Sequence, residues 1–523
     1  MSTHAASPSL GPASAAGRPN ILFITTDQQR ADCIGYENDQ VRTPHLDALA
    51  CRGARFSNCI TPSPVCQPAR ASILTGKLPL THGVWDNGVD LDPAVGQQGV
   101  AAALAAAGYA TAFIGKAHFS TKNTFAPTGA PECRRSAPGY PQNWHGPYMG
   151  FAHVELAAMG KFHQGRLQTS AAAIHRFEHW FLDHPGALEM WQRSLREGSG
   201  AAQTWDSALP AAWHSSAWVA DRTLALLQRR QGADEPFFVW ASFPDPHHPF
   251  DCPAPWRQMY DPDDMVLPSH RTLDLERRPW WHRAALEGTP QIADPELAKF
   301  RQDGFRLPPQ TDRQLADMMA NYYGMISHVD HQVGRILDGL RQSGLADNTL
   351  IVFASDHGDM LGDHGLYLKG PMLYEGLLRV PMIISGPGIA HGQRIETPVS
   401  TIDLTATFLQ SAGVPFASEQ SRSLYPVLAG TEQRECAWSE WHVHPSRLGV
   451  ALQLRTVRTG RYSCTFELGS NSGELYDLQD DPQQLVNRFD APDRRAVRDR
   501  MRTLMLARPG PVLDQLPEPV GIA

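Results

Sequence analysis

Leu350-Ile351-Val352-Phe353-Ala354-Ser355-Asp356-His357 runs a strand-like apolar segment directly into a carboxylate and an imidazole. Three other segments repeat the design. Ile21-Leu22-Phe23-Ile24-Thr25-Thr26 ends at Asp27. Ala110-Thr111-Ala112-Phe113-Ile114-Gly115 ends at Lys116 and His118. Phe237-Phe238-Val239-Trp240-Ala241-Ser242-Phe243 ends at Asp245, His247 and His248. Continuous apolar runs of this length mark strands covered on both faces. The intervening segments 43–53, 99–108, 218–231 and 317–343 read as helices, and 401–413 follows suit. Strands alternating with helices predict an α/β fold: a large mixed, mainly parallel sheet flanked by helices. In such sheets ligands bind beyond the carboxyl ends of the strands. Four strands delivering ionisable side chains at that end describe one site.

The rest of the chain is organised around this block. Residues 1–18, rich in Ala, Ser, Pro and Gly, read as a disordered tail. Residues 19–421 form the expected catalytic domain. It carries loop-rich excursions at about 120–216 and 253–309, read as lids or contacts in a homo-oligomer. The histidines of the first excursion, among them His145, His153, His163 and His214, read as solvated or structural. Phe119, Trp144, Trp205 and Trp213 are either an aromatic wall for substrate or core of the excursion. Beyond about residue 422, short alternating runs at 437–441, 453–458, 462–467 and 474–478 precede a charged helix near 493–507. They predict a small α+β C-terminal domain, 422–523, with an antiparallel sheet.

With 523 residues, a net charge of −8 and no basic run, the chain does not suit nucleic acid as a partner. An anionic substrate must therefore find its positive charge within the site. No apolar run reaches the length needed to span a bilayer. The 8 cysteines are dispersed, which suits reduced thiols in a cytoplasmic protein.

Asp27, Asp356 and His357 combine carboxylate oxygens with an imidazole, a donor set that suits a divalent cation such as Ca²⁺ or Mn²⁺. The run Ser355-Asp356-His357-Gly358-Asp359-Met360-Leu361-Gly362-Asp363-His364-Gly365 closely resembles a long motif of the type I sulfatases. Cys66-Gln67-Pro68-Ala69-Arg70 matches their C-x-P-x-R pattern, and Gly115-Lys116-Ala117-His118 their G-K-x-H. Further likeness runs through Arg18–Asp27, Thr43–Ala50, Gly53–Asn58, Ala71–Gly76, Asp245–Phe250 and Tyr476–Pro482. The chain thus resembles the formylglycine-dependent sulfatases of the alkaline phosphatase superfamily over most of its length.

That resemblance implies a chemistry. Cys66 is oxidised to formylglycine by a formylglycine-generating enzyme and hydrated to a geminal diol. One hydroxyl, polarised by the metal, attacks the sulfur of a small-molecule sulfate ester. Deprotonating the second hydroxyl expels sulfate. The implied metal ligands are Asp27, Gln28, Cys66, Asp356 and His357, with Ca²⁺ expected and Mn²⁺ the alternative. Arg70, one helical turn beyond Cys66, holds the oxygens around the nucleophile. Lys116 and Lys369 bind the sulfate oxygens. His118 is the base at the diol, and His247 protonates the leaving oxygen. Asn87 and His248 contact substrate.

Gln28 and His357 depart from the paired acidic residues and the Asp-Asn of many members. Both features are similar to phosphonate monoester hydrolases and some bacterial sulfatases of the same superfamily, so hydrolysis of phosphonate monoesters or phosphodiesters is the alternative activity. The Lys116/His118 pair favours the sulfatase reading. An inactive binding scaffold is disfavoured, because nucleophile, carboxylates, cations and imidazoles are all present.

Overall fold

A computed structural model describes residues 17–157, 176–196 and 200–522. The strands in chain order are β1 (Asn20–Thr26), β2 (Ala54–Phe56), β3 (Cys59–Ile60), β4 (Ala110–Gly115), β5 (His153–Leu156), β6 (Phe237–Ser242) and β7 (Thr349–Ser355). There follow β8 (Met382–Ser385), β9 (Gln393–Ile395), β10 (Val399–Ser400), β11 (Cys436–Val443), β12 (Leu452–Thr459), β13 (Tyr462–Glu467) and β14 (Ser472–Asp477). Eight of them form one sheet in the order β5-β4-β6-β1-β7-β8-β2-β9. The four expected strands lie side by side at its centre and run parallel, with Ile24 opposite Ala241 and Phe353, and Gly115 opposite Ser242. β8 is antiparallel to both of its neighbours, which makes the sheet mixed.

Side-chain alternation along the buried strands feeds two cores. Ile21 and Phe23 of β1 join Phe113, Trp240 and Phe408 on one face. Leu22 and Ile24 join Val239, Phe353, Val329 and Val333 on the other. The latter two valines belong to the long helix Asp312–Gln342, which starts five residues before the sequence reading placed it. Its start is fixed by a capping box between Thr311 and Gln314. At the end of β4 the chain passes so close to β6 that a Cβ on Gly115 would lie 1.9 Å from the Ser242 carbonyl oxygen. Its φ of +110° also excludes an ordinary side chain. Glycine there lets two strand ends meet where the site is built.

Three expectations need correction. The 120–216 excursion is not only loops and helices: β5 lies within it and extends the sheet beyond β4. The 253–309 excursion contains two ordered helices, Trp280–Glu287 and Pro295–Phe305. The last residues do not stay with the C-terminal sheet. They run back over the catalytic part, where the Leu513 N–H bonds to Leu80, Val520 to Gly88 and Ile522 to Asn123. Phe119 and Trp144 pack with the first core rather than forming a substrate wall, and Trp213 packs against the second. The expected tail falls almost wholly outside the described residues, as does His163.

The C-terminal sheet is an antiparallel meander, β11-β12-β13-β14. One face receives Met501 and Met505 of the helix Arg495–Leu506. The other face sets Trp441 and Leu454 against Trp281 and Leu378 of the catalytic part. No helix among the described residues is long and apolar enough to cross a membrane.

Candidate active site

Cys66 opens the helix Cys66–Thr75 and is fully buried. Four side chains from other elements converge on its sulfur. His357 Nε2 lies at 3.0 Å, Lys369 Nζ at 3.2 Å, Asp27 Oδ1 at 3.6 Å and Lys116 Nζ at 3.8 Å. Burial alone would push the thiol up. Lys116, Lys369 and His357 outweigh it and hold Cys66 well below the ordinary thiol value. The pocket is thus built to favour negative charge on the side chain at position 66.

Arg70 locks the floor of this arrangement. Its Nε donates to Asp356 Oδ2 at 2.8 Å and one terminal nitrogen to Asp27 Oδ2 at 3.1 Å. The other donates to the Lys116 carbonyl at 2.6 Å and to Ser242 Oγ at 2.8 Å. One guanidinium therefore ties together the ends of β1, β4, β6 and β7. Lys116 also pairs with Asp27. Asp356 Oδ1 accepts from the backbone N–H groups of Gln28 and His357. Burial, with Asp27 beside it, nonetheless holds Asp356 above the usual carboxylate range. His357 meets the Gly358 carbonyl through Nδ1 at 2.8 Å, which leaves Nε2 to face Cys66 and the carboxylates.

Behind Asp356 lies a second polar layer. Gln28 Nε2 donates to Asp359 and lies 3.3 Å from His248 Nδ1. Gln28 Oε1 is buried with no hydrogen-bond partner among the described residues. His247 and His248 stack with ring centres 4.1 Å apart. Lys369 Nζ reaches His247 Nε2 at 3.1 Å. Burial and that lysine hold His247 well below the ordinary imidazole value. Burial and Lys116 likewise bring His118 down to about 4. Gln28, His118 and Leu368, the last beside Lys369, all have left-handed backbone, with φ of 69°, 52° and 57°. Non-glycine residues seldom hold this conformation unless the surroundings enforce it, at roughly 1–3 kcal/mol each.

Every strand-end residue singled out from the sequence except Asp245 therefore meets in one buried cluster, and Lys369 joins it from a loop. Asn87 stands one layer out. Its Oδ1 accepts from the N–H of Gln67, so it supports the turn that carries Cys66. Asp86, beside it, is held by Trp441 Nε1 at 3.0 Å and Arg447 at 2.8 Å, so the C-terminal part braces the site.

Two participants were not picked out from the sequence. Asp359 sits inside the long motif and accepts from Gln28. Glu132 lies in the first excursion, 2% exposed. Its carboxylate accepts the backbone N–H groups of His118, Phe119 and Ser120 and the hydroxyl of Tyr148. Nothing in the local sequence announces it.

A strand-edge cluster of this composition on this sheet defines a hydrolase of the alkaline phosphatase superfamily. Within it, the chain belongs to the sulfatase family, whose model matches residues 19–414. The pattern described as N-sulphoglucosamine sulphohydrolase, C-terminal, matches residues 362–508. The chain is 30% identical to the choline-sulfatase of Rhizobium meliloti (strain 1021), over 91% of this chain and 83% of that one. It is 28% identical to the arylsulfatase of Clostridium perfringens (strain 13 / Type A), over 94% of each. The crystal structure of the phosphonate monoester hydrolase of Agrobacterium radiobacter superimposes with a TM-score of 0.72 at 26% identity, covering 94% of this chain and 95% of that one. The protein is a sulfuric ester hydrolase.

Proposed function

We propose that the protein hydrolyses sulfate monoesters to an alcohol or phenol and sulfate, using a formylglycine made from Cys66 and one divalent cation. The observation that carries this reading is the convergence of Lys116, Lys369 and His357 on the Cys66 sulfur. In the mature enzyme that sulfur position stands in for the oxygens of the modified side chain.

The residues present fit a cation. Asp27, Cys66, Asp356 and His357 offer ligand atoms all within 4.8 Å of one another. The buried Gln28 Oε1 supplies a further oxygen. This mainly oxygen set suits Ca²⁺, or Mn²⁺ through His357. When bound, the cation supplies Lewis-acid polarisation at the nucleophile and the ester oxygens. The formylglycine supplies a nucleophile that can release sulfate by reverting to its carbonyl form.

The chain's own side chains do the rest. Lys116 and Lys369 hold the sulfate oxygens and stabilise the charge that builds on them during transfer. Arg70 fixes Asp27 and Asp356, so the carboxylates do not reorganise as charge moves. His118, neutral above about pH 4, is competent to take a proton at position 66. His247 is held neutral beside Lys369. It becomes a proton donor to the leaving oxygen once the substrate's negative charge offsets that lysine. His248 orients Gln28. No disulfide joins any of the eight cysteines, which suits maturation and catalysis in the cytoplasm.

A second reading, hydrolysis of phosphonate monoesters or phosphodiesters, draws support from Gln28, His357 and the likeness to the Agrobacterium enzyme. The deciding experiment uses protein co-expressed with a formylglycine-generating enzyme. Rates are measured on one sulfate monoester, one phosphonate monoester and one phosphodiester. The highest kcat/KM is expected on the sulfate ester, with Cys66→Ala inactive on all three. Higher kcat/KM on the phosphonate would establish the second reading, and a fully active Cys66→Ala would overturn both.

A further inference from the structure

A second buried cluster with metal-ligand chemistry lies just outside the active site. His214, Asp245 and His328 come from three separate elements: the approach to the helix Ser215–Arg229, the turn after β6, and the middle of the helix Asp312–Gln342. They are 4%, 0% and 0% exposed. One ligand atom from each lies within 4.8 Å of the others. We propose that these residues form a structural zinc site, distinct from the catalytic cation.

The donor set is two imidazoles and one carboxylate, a combination that Zn²⁺ takes and that suits Ca²⁺ or Mg²⁺ poorly. Groups that would orient the ligands are in place. The Ser216 hydroxyl donates to Asp245 Oδ2 at 2.5 Å. His214 Nε2 meets Ser207 Oγ at 3.2 Å. The ring of Trp256 covers His328 with centres 4.4 Å apart. Such outer contacts fix ring and carboxylate orientation at metal sites. Two bonds of 2.0–2.1 Å at the tetrahedral angle span roughly 3.4 Å, so the ion would draw the three side chains slightly inward. Water would complete the coordination.

The position gives the site a purpose. Asp245 accepts the Asp27 N–H through its carbonyl at 3.2 Å. It begins the turn that carries His247 and His248. The same turn is paired to the excursion, with the Trp205 N–H on the Phe250 carbonyl and the Phe250 N–H on Gln203. An ion at Asp245 would clamp the excursion and the long helix to the turn that positions two active-site imidazoles.

Elemental analysis tests this without reference to turnover. Full-length protein is stripped with a chelator, equilibrated with Zn²⁺ and desalted. Two ions per chain are expected in the wild type, and one in Asp356→Asn, which removes a catalytic-site carboxylate. His214→Gln and His328→Gln should each hold only the catalytic ion. Ser216→Ala keeps all three ligands and should bind the second zinc about 10–100-fold more weakly. X-ray absorption on Asp356→Asn should report two imidazole nitrogens and oxygen. One zinc in the wild type, lost with Asp356→Asn and unaffected by His328→Gln, would show instead a metal-free His-Asp-His network and overturn the site. Sulfur ligation in Asp356→Asn would overturn it too. Because no outcome depends on which ester is cleaved, failure of the sulfatase reading and failure of this one stay separate.

Discussion

Buried charge is handled differently at the carboxyl edge of the large sheet and beneath the C-terminal sheet. Beneath the C-terminal sheet basic side chains each meet a carboxylate. His282 meets Glu474 at 3.1 Å, Arg278 meets Asp274 at 2.9 Å and Arg458 meets Glu375 at 2.8 Å. At the sheet edge partners are shared and do not balance. Arg70 and His357 both draw on Asp27 and Asp356, and Lys116 draws on Asp27 as well. Lys369 has no carboxylate within ion-pair distance among the described residues, although it is only 9% exposed. Paired charges fix architecture. A surplus cation, buried and aimed at a nucleophile, is positive charge kept for a ligand that is not part of the protein. It also explains how a chain of net charge −8 can receive an anionic substrate.

The comparison is broken most directly at Lys369. Lys369→Ala should lower kcat/KM on a sulfate ester by roughly 10²–10³, the usual cost of removing one preorganised stabiliser of developing charge. Thermal stability should stay level or rise, because an uncompensated buried charge is removed. Steady-state kinetics beside a thermal melt read both. A melting point several degrees lower with little kinetic loss would mean that Lys369 belongs with the architectural charges.

The sheet edge was legible in the sequence for a physical reason. A strand buried on both faces must be apolar throughout, so the first ionisable residues after it mark where the sheet ends and the ligand begins. Asp27, Lys116, His247 and Asp356 announce themselves in this way. Lys369 lies in a loop after the long motif and is legible only through family likeness. Glu132 and the His214–Asp245–His328 cluster are silent because their partners lie 12 to 114 residues away, and no local periodicity records a contact at such range. β5 escaped because four residues, His153-Val154-Glu155-Leu156, are too few to show a period. The helix Pro295–Phe305 does carry a local signal, with Asp294 as N-cap and Pro295 in its first turn.

Glu132 sharpens the comparison from the other side, since it serves the active site without facing the nucleophile. Burial lifts its carboxyl to about 7, despite the four donors around it. As pH falls through that value the acid takes up a proton and can no longer accept from all four, and the backbone at His118 to Ser120 loosens. We expect kcat to fall by about tenfold below pH 7, and Glu132→Gln to show the low-pH rate throughout. Stability moves the opposite way. A carboxyl raised on folding contributes most below its unfolded value of about 4.3, and that contribution is lost as pH rises through about 7. Melts and rates taken from pH 5 to 8 would separate the two trends. A pH–rate profile of Glu132→Gln that keeps the wild-type limb would assign the limb to another group.

The smallest effect on turnover is expected beneath the C-terminal sheet. Glu474 accepts from Tyr476 at 2.6 Å and meets His282 at 3.1 Å, and both members of the Glu474–His282 pair are almost fully buried. Burial would raise this carboxyl, but His282 and Tyr476 outweigh it and hold it below the usual range. A carboxyl lowered on folding contributes stability above its unfolded value of about 4.3, and loses it as pH falls toward the folded value. Glu474→Gln keeps an acceptor for Tyr476 and removes the charge opposite His282. It should cost ~2 kcal/mol at neutral pH, typical of a hydrogen bond to a charged group. The variant should also lose less stability than the wild type as pH falls below the ordinary carboxylate range. Turnover per folded molecule should not change, because no atom of the pair touches the cluster around Cys66. Denaturant melts at several pH values, paired with active-site-normalised rates, test both halves. A Glu474→Gln protein that melts normally yet turns over slowly would place the C-terminal sheet within the catalytic apparatus, and paired charge would no longer mark architecture alone.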